Sequence, residues 1–344
     1  MKNTVAALVL LLMVSCTADR YVAFSGYAQG GVYTVKMNMR GVRCPQERIR
    51  EHVDSLLEAV DFSLSGYNKA SLLSRLNAGE RIRPDSLLKK IYSLSRHYYE
   101  LSSGAFDVSA GPLFDAWGFG FKQGVFPSDA EVERLKASCG MSRLRRTMEE
   151  ALGEDGMLCA TDLLAPGVEG EAPQLNFNAI AQGFTSDVIA SYLRGLGVED
   201  MLVDIGEIWC CGFNPSGRGW AVGIDAPVDG NDTPGADLRG VWTSDGGGIG
   251  IVTSGNYRKF YVRDGKKYAH TVDPRTGKPV SHGLLSATVT APDACAADAL
   301  ATACMVLGPE GAKELILSNP EWQVCLIMDG DEIWTSPGFN YSSR

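Results

Sequence analysis

The order of helix-like and strand-like patterns along the chain is the strongest guide to its fold class. Apolar residues at helical spacing, including Ile49, Val53 and Val60, predict a helix that begins after Pro45. Helices and strands do not alternate strictly, so the prediction is an α+β fold rather than a doubly wound parallel sheet. The other predicted helices are Asp85–Leu101, Ser128 to near Gly140, Gly183–Leu196 and Ala294–Leu307, and the predicted strands are Gly26–Met39, MLVDIGEIWCCGF and WAVGIDAP.

Turn-forming residues divide the rest of the chain. The mixed segment Met141–Leu164 is predicted to be rich in strands, and Asp225–Gly248, rich in Gly, Asp and Pro, is predicted to be a long loop. Asp264-Gly265 and Asp329-Gly330 each lie between β-rich runs, which predicts two hairpins.

The N-terminal residues MKNTVAALVLLLMVSC have the pattern of a secretory signal, with Lys2 ahead of the apolar run Val5–Val14. That run is shorter than the about 20 residues of a membrane span. A small residue, Ser15, directly before Cys16 resembles a lipobox, which predicts cleavage after residue 15 and lipidation of Cys16. The alternative is an ordinary signal peptide with an incidental cysteine. The predicted parts are a signal peptide (1–15), a lipidated linker (16–25) and one large domain (26–340).

Composition excludes some classes of protein. The formal charge of −9 argues against nucleic-acid binding, which requires a basic face. Besides Cys16 there are eight scattered cysteines and no CxxC pair, so a zinc site is not expected. Several of these cysteines lie in apolar runs typical of a protein core, and the sequence leaves disulfide pairing open.

The segment AADALATACMVLG places Asp298 and Thr302 four residues apart, hence on one face of a helix. A carboxylate and a hydroxyl are the hard oxygen ligands that Mg²⁺ prefers. The competing interpretation is helix capping or a solvated helix face.

The segment LNFNAIAQGFTSD reads as a strand, a small-residue turn at Ala179–Gly183 and a helix. A helix N-terminus can bind an anionic ligand, although an ordinary strand–turn–helix has the same pattern. In YAHTVDPRTGKPV, His270 precedes a rigid turn and is either catalytic or structural. GAFDVSAGPLFDAWGFG could line the pocket of a flat aromatic ligand or pack as a loop, and Tyr67 could stack on a ring or lie at a core boundary.

Together these segments, behind a lipobox, resemble the ApbE family of FAD:protein FMN transferases from about Gly26 to Gly308. The most specific motifs are SGY…SLLSRLN, GAFDVSAGPLFDAWGFG, NAIAQGFTSD, VTSGNYRKF, HTVDPRTGKPV and ADALATA. The resemblance implies a T-fold-related mixture of sheets and helices with the active site between two lobes. It also implies an enzyme that uses Mg²⁺ and FAD to transfer FMN to a threonine or serine hydroxyl of a target protein, releasing AMP.

The resemblance also implies roles for individual residues. Asp298, Thr302 and the backbone of Ala179 would hold the metal, and His270 would act in transfer, with Asp298 sharing that task. The residues implied to contact or lie near the flavin nucleotide are Gln29, Tyr67, Asn77, Ala105, Phe106, Asp107, Gln182 and Val272. Two of these depart from the family pattern: Gln182 stands where most members have lysine, and Gln29 where many have methionine.

Other functions remain open on this evidence. They are hydrolysis of FAD to FMN and AMP, flavin binding without turnover, and solute binding by a lipoprotein. If the resemblance holds, the expected partners are FAD, an exported or membrane-bound acceptor flavoprotein subunit, and the membrane itself through a lipid anchor. The expected location is the bacterial cell envelope, on the periplasmic side.

Overall fold

The computed structural model describes residues 20–119, 126–228, 231, 233, 235–256, 260–263, 266–269 and 271–343. Within these ranges the helices are α1 (Gln46–Leu64), α2 (Leu72–Asn77), α3 (Ser86–Leu101), α4 (Gly111–Ala116), α5 (Asp129–Lys136), α6 (Ala181–Gly195) and α7 (Ala294–Leu317). None of the helices in these ranges combines the length and the hydrophobicity that crossing a membrane requires.

The strands in the same ranges form four antiparallel sheets. They are β1 (Tyr21–Ala28), β2 (Gly31–Asn38), β3 (Met201–Asp204), β4 (Ile208–Cys211), β5 (Ala221–Asp225), β6 (Leu238–Thr243), β7 (Ile249–Gly255), β8 (Phe260–Arg263), β9 (Lys266–Ala269), β10 (Val272–Asp273), β11 (Lys278–Pro279), β12 (Leu284–Ala291), β13 (Gln323–Met328), β14 (Ile333–Thr335) and β15 (Tyr341–Ser343). The large sheet has the order β1-β2-β3-β4-β7-β12-β13-β14. The smaller sheets are β15-β6-β5, β10-β11 and β8-β9.

The large sheet is covered on both faces because its strands alternate apolar side chains. In β3, Met201 and Val203 pack with α1 and α6, whereas Leu202 points to the opposite face. There it packs with Trp220, directly before β5, and with Trp242 of β6, which lie on the side of the β15-β6-β5 sheet. Layers of helices, large sheet and small sheet therefore enclose the core, and the predicted α+β class is confirmed.

The central helix α7 is buried along most of its length and packs on β7 and β12. Its first part matches the predicted helix Ala294–Leu307. Gly308, with φ of 74°, breaks the helical geometry as predicted, but Pro309 starts a further helical stretch that reaches Leu317.

The predicted helix starts are confirmed by their caps. Asp85 accepts the N–H of Leu88 at the start of α3, and Ser128 accepts the N–H of Glu131 at the start of α5. The predicted hairpin at Asp329-Gly330 joins β13 to β14. The strands β8 and β9 flank Asp264-Gly265, which lie outside the described residues.

Three predictions from the sequence are wrong. The single strand Gly26–Met39 is two strands, because the backbone turns at Gln29 and Gly30, which have φ of 50° and 82°. A non-glycine residue with positive φ is uncommon, so the pattern gave no sign of this turn. The predicted loop Asp225–Gly248 contains β6, whose residues pair with both β5 and β15.

The segment Met141–Leu164 is also not strand-rich. Its described structure consists of three short 3₁₀ turns and two isolated bridges. Side chains from α3 bind part of its backbone: the Arg96 guanidinium donates to the carbonyls of Leu144 and Arg145, and the Tyr92 hydroxyl donates to the carbonyl of Arg145.

The eight cysteines in the described ranges are free thiols, five of them buried. Burial raises the pKa of Cys139, Cys210, Cys304 and Cys325 to about 12 each. These side chains are protonated at neutral pH and behave as small core residues.

Candidate active site

A cavity of about 740 Å³ lies where α6 and α7 meet the ends of β4 and β7. This volume falls in the range typical of small-molecule sites. Its described lining residues are Tyr67, Ala105, Phe106, Asp107, Val108, Phe114, Gly118, Phe119, Asn176, Asn178, Ala179, Gln182, Glu207, Thr253, Ser254, Gly255, Thr271, Val272, Pro274, Asp298, Thr302, Met305 and Val306.

Asp298 lies where α6 and α7 come closest. A Cβ atom on Gly183 of α6 would lie 2.3 Å from the carbonyl oxygen of Ala294, so only glycine permits this approach. The close contact allows the Gly183 N–H to donate to the Asp298 carboxylate at 3.1 Å. Burial raises the pKa of Asp298 to about 7, and that hydrogen bond opposes the rise.

The first turn of α6 leaves a backbone acceptor beside Asp298. In a regular helix the N–H of Gly183 would bond the carbonyl of Ala179. Here that N–H donates to Asp298. The Ala179 carbonyl therefore lies at the cavity without this helical bond, and Thr302 lies one turn along α7 from Asp298. The structure brings together the three residues that the family resemblance implies for the metal.

The start of α7, and with it Asp298, is held by two carboxylates. Asp187 of α6 accepts the N–H groups of Ala294 and Cys295, both at 2.8 Å, and Asp293 accepts the N–H of Ala296 at 2.7 Å. Burial, reinforced by the Asp293 charge, raises the pKa of Asp187 to about 7. The carboxylates of Asp187 and Asp293 and the thiol of Cys295 lie within 4.8 Å of one another. The bonds to the helix N–H groups account for this proximity.

Glu207 is a cavity residue that the sequence reasoning missed. It lies in the turn between β3 and β4 and lines the same cavity as Asp298. Its pKa is raised well above the usual value, first by burial and then by the negative charges of Asp298 and Asp204. The available signal was the pair of carboxyl residues, Asp204 and Glu207, between the apolar runs of MLVDIGEIWCCGF.

The cavity lining also includes the apolar residues Ala105, Phe106 and Val272, all of them buried. Asp107 caps the following turn, where it accepts the backbone N–H of Ser109 at 2.9 Å and its hydroxyl at 2.6 Å. Burial raises the pKa of Asp107 to about 6, although the bonds from Ser109 oppose the shift. A flat ring system could lie against these residues.

Tyr67 stands at the mouth of the cavity, 68% exposed. The amide of Asn178 donates to its hydroxyl at 3.1 Å, which orients the ring relative to the turn before α6. An exposed aromatic side chain tethered in this way can stack on a ligand.

Three of the residues predicted to lie at the flavin nucleotide make hydrogen bonds within the protein. Asn77 is not among the lining residues; its amide bonds the backbone of Leu175 in both directions at 2.8 Å and so holds the segment that leads to Ala179. Gln29 donates to the Thr185 hydroxyl at 2.7 Å, on α6. Gln182 lines the cavity and donates to the carbonyl of Ile205 at 3.0 Å. His270 and Cys16 lie outside the described residues.

The acidic side chains of the cavity disfavour binding of an anion unless a cation binds with it. The described lining residues include three carboxyl groups, Asp107, Glu207 and Asp298, and neither lysine nor arginine. A diphosphate would be repelled unless a bound cation offset these charges. The available donors around Asp298, two carboxylates, a hydroxyl and a carbonyl, are all hard oxygens, so they fit Mg²⁺.

The sequence of the chain is similar to those of known flavin transferases. The sequence model of the ApbE family matches residues 30–326. The FAD:protein FMN transferase of Vibrio cholerae serotype O1 is 32% identical over 352 residues, covering 98% of each chain. The protein of the same name from Escherichia coli K12 is 32% identical over 302 residues, covering 85% of this chain and 80% of the other.

Solved structures give the same result. The apo form of the flavinyl transferase ApbE of Pseudomonas stutzeri superposes with a TM-score of 0.75 at 32% identity, covering 92% of this chain and 94% of the other. The flavin transferase ApbE of Vibrio cholerae also has a TM-score of 0.75, at 29% identity, covering 94% and 99%. From its sequence and its fold, this chain belongs to the ApbE family.

Proposed function

We propose that this chain is an FAD:protein FMN transferase that moves FMN from FAD to a threonine or serine hydroxyl of a target protein. The observation that carries the proposal is the cavity itself, whose lining combines apolar residues such as Phe106 and Val272 with the oxygen-bearing residues Asp298 and Thr302. A flavin needs the first environment, and a diphosphate with its cation needs the second. The names of the relatives point to the same activity.

Asp298, Thr302 and the Ala179 carbonyl would hold Mg²⁺, which when bound supplies positive charge against the diphosphate. The residues of the chain set the geometry around it. The Gly183 N–H fixes the Asp298 carboxylate, and the Asp187 bonds to the first N–H groups of α7 fix the helix that carries it. In this arrangement the apolar lining residues Phe106 and Val272 hold the flavin ring, and the FMN phosphorus lies toward Asp298.

The transfer breaks one bond and forms one. The target hydroxyl oxygen attacks the FMN-side phosphorus, the bond from that phosphorus to the bridging oxygen breaks, and AMP leaves with that oxygen. The hydroxyl proton must pass to a base, because a neutral hydroxyl is a weak nucleophile. The proposed acceptor of this proton is His270, with Asp298 sharing the task.

The test is to incubate the purified chain with FAD, Mg²⁺ and an acceptor protein, and to look for flavin fluorescence on the acceptor band of a denaturing gel. Asp298→Asn should abolish labelling. Glu310→Gln is the matched control, because Glu310 is an exposed carboxylate of the same helix that pairs with Lys313. Labelling by Asp298→Asn at the wild-type rate would show that the metal assignment is wrong.

The same assay separates the other candidate activities. Release of FMN and AMP in the absence of acceptor would identify an FAD hydrolase, with water in place of the hydroxyl. FAD that stays intact in the presence of Mg²⁺ and acceptor would identify a flavin-binding protein without turnover. Tight binding of another small solute without metal dependence would indicate a solute-binding lipoprotein.

We further propose that the chain acts in the bacterial cell envelope, on the periplasmic side, anchored through a lipid on Cys16. The support is the signal-like run and the Ser15-Cys16 pair in the sequence. Several acyl chains on one residue anchor stably, since each buried methylene contributes about 0.8 kcal/mol. The proposed acceptor is an exported or membrane-bound flavoprotein subunit, which the anchor would keep close.

A further inference from the structure

Glu207 is held in place by α6. Asp204 and Ile208 are paired residues of β3 and β4, so Ile205, Gly206 and Glu207 form the turn between the two strands. The Ser186 hydroxyl donates to the Glu207 carbonyl at 2.6 Å. Gln182 donates to the carbonyl of Ile205 at 3.0 Å. Two side chains of one helix thus fix this turn against the site.

Glu207 is an acidic residue of the cavity lining. It is partly buried, lines the same cavity as Asp298 and interacts with that carboxylate electrostatically. The backbone N–H of Thr253 donates to it. A carboxylate has about four acceptor positions, so this one bond leaves capacity for a ligand.

A purely structural role accounts for this arrangement poorly. A neutral glutamine could accept the Thr253 N–H equally well and would not place a second negative charge beside Asp298. Two neighbouring carboxyl groups in a partly desolvated site resist full ionisation unless a cation offsets their charge. The described residues that line the cavity bring neither lysine nor arginine to do so.

We propose that Glu207 is a further cation-binding residue of this site, and that with Asp298 it gives the chain affinity for a hard divalent cation before any nucleotide binds. The inference rests on the proposed function only in taking this part of the cavity as the metal site. Asp298, Thr302 and the Ala179 carbonyl alone would offer a single charge. With Glu207 also ionised when the cation binds, the charge is two, which matches a divalent cation.

The test is a titration of the purified chain with Mn²⁺ in the absence of FAD and acceptor, with free Mn²⁺ measured by electron paramagnetic resonance. The wild type should bind Mn²⁺. Glu207→Gln keeps the size of the side chain and an acceptor for the Thr253 N–H, and should raise the Kd by about tenfold or more. Glu310→Gln on the surface of α7 should bind as wild type does.

Circular dichroism checks that each variant is folded. Glu207→Asp keeps the charge but withdraws it by one methylene, and should bind Mn²⁺ more weakly than wild type and more tightly than Glu207→Gln. If the Gln variant does not fold, an Asp variant with the wild-type Kd overturns the proposal. Equal Kd values for the wild type, Glu207→Gln and Glu207→Asp overturn it as well.

The failure of this inference can be told apart from the failure of the proposed function. A wild-type chain that binds no Mn²⁺ without FAD, yet labels an acceptor when FAD and Mg²⁺ are present, would contradict only the role of Glu207. A chain that binds Mn²⁺ in a Glu207-dependent way but labels no acceptor would keep the cation site and contradict the transferase.

Discussion

Replacing Gly183 with alanine should disrupt the contact between α6 and α7 on which the site is built. The added Cβ would lie 2.3 Å from the carbonyl oxygen of Ala294 and 2.9 Å from the Cβ of Asp298. Backbone cannot rotate away, so the helices would have to separate by roughly 1 Å to reach ordinary contact distance. Overpacking of this kind costs about 1–3 kcal/mol, and the upper end is expected here.

The same substitution should weaken the cation site. Separating the helices lengthens the 3.1 Å hydrogen bond from the Gly183 N–H to Asp298. Hydrogen bonds to charged groups contribute about 1.5–3 kcal/mol, so part of the orientation of the carboxylate would be lost. The Kd for Mn²⁺ should therefore rise along with the loss of stability.

The matched control is Gly195→Ala, at the C-terminal end of the same helix. A Cβ there would have no neighbour within 4 Å, and alanine is favoured over glycine in a helix by up to about 1 kcal/mol. Urea unfolding followed by circular dichroism should show Gly183→Ala less stable than wild type and Gly195→Ala equal to it or more stable. A Gly183→Ala variant as stable as Gly195→Ala would refute the close packing described here.

Three further outcomes are expected. Because burial raises the folded-state pKa of Asp107 to about 6 and the unfolded carboxyl ionises near its ordinary value, wild-type unfolding free energy should fall as the pH rises between about 4 and 6. Asp107→Asn keeps an acceptor for both Ser109 bonds and should lessen that fall by up to about 1.4 kcal/mol per pH unit; identical slopes in urea titrations would contradict this. Tyr67→Ala should raise the Kd for FAD about tenfold through lost stacking, whereas Tyr67→Phe, which keeps the ring and loses the hydroxyl with its bond from Asn178, should change it little; equal effects in fluorescence titrations would exclude a stacking role. Cys16→Ala should release the chain from membranes and leave transfer in solution intact, and membrane retention of the variant on fractionation would contradict the lipid anchor.

The parts of the fold that follow a regular period could be predicted from the sequence. Apolar spacing in α1 and the capping residues Asp85 and Ser128 located helices well, because both signals are local. The placement of Asp298 and Thr302 on one helix face followed from their separation of four residues. Their meeting with Ala179 in one cavity was implied by the family resemblance.

The parts that depend on contacts distant in sequence could not be predicted in the same way. Within residues 141–164, the carbonyls of Leu144 and Arg145 accept hydrogen bonds from Arg96 and Tyr92, and no periodic pattern in the segment predicts these contacts. Gly183 looked like a generic small residue until the approach of α7 showed why no side chain fits there. The acidic groups around Glu207 come from two segments distant in sequence, so only Asp204 and Glu207 themselves were visible between the apolar runs.

The most direct test of the account is the balance between AMP released and FMN attached when the chain acts on FAD and an acceptor. Intact-mass spectrometry of the acceptor and chromatography of the nucleotides measure both quantities in one reaction. The account predicts an acceptor heavier by FMN less one water, with the site on a threonine or serine, and one AMP for each FMN attached. AMP and free FMN in equal amounts with an unmodified acceptor, or FAD left intact, would contradict it.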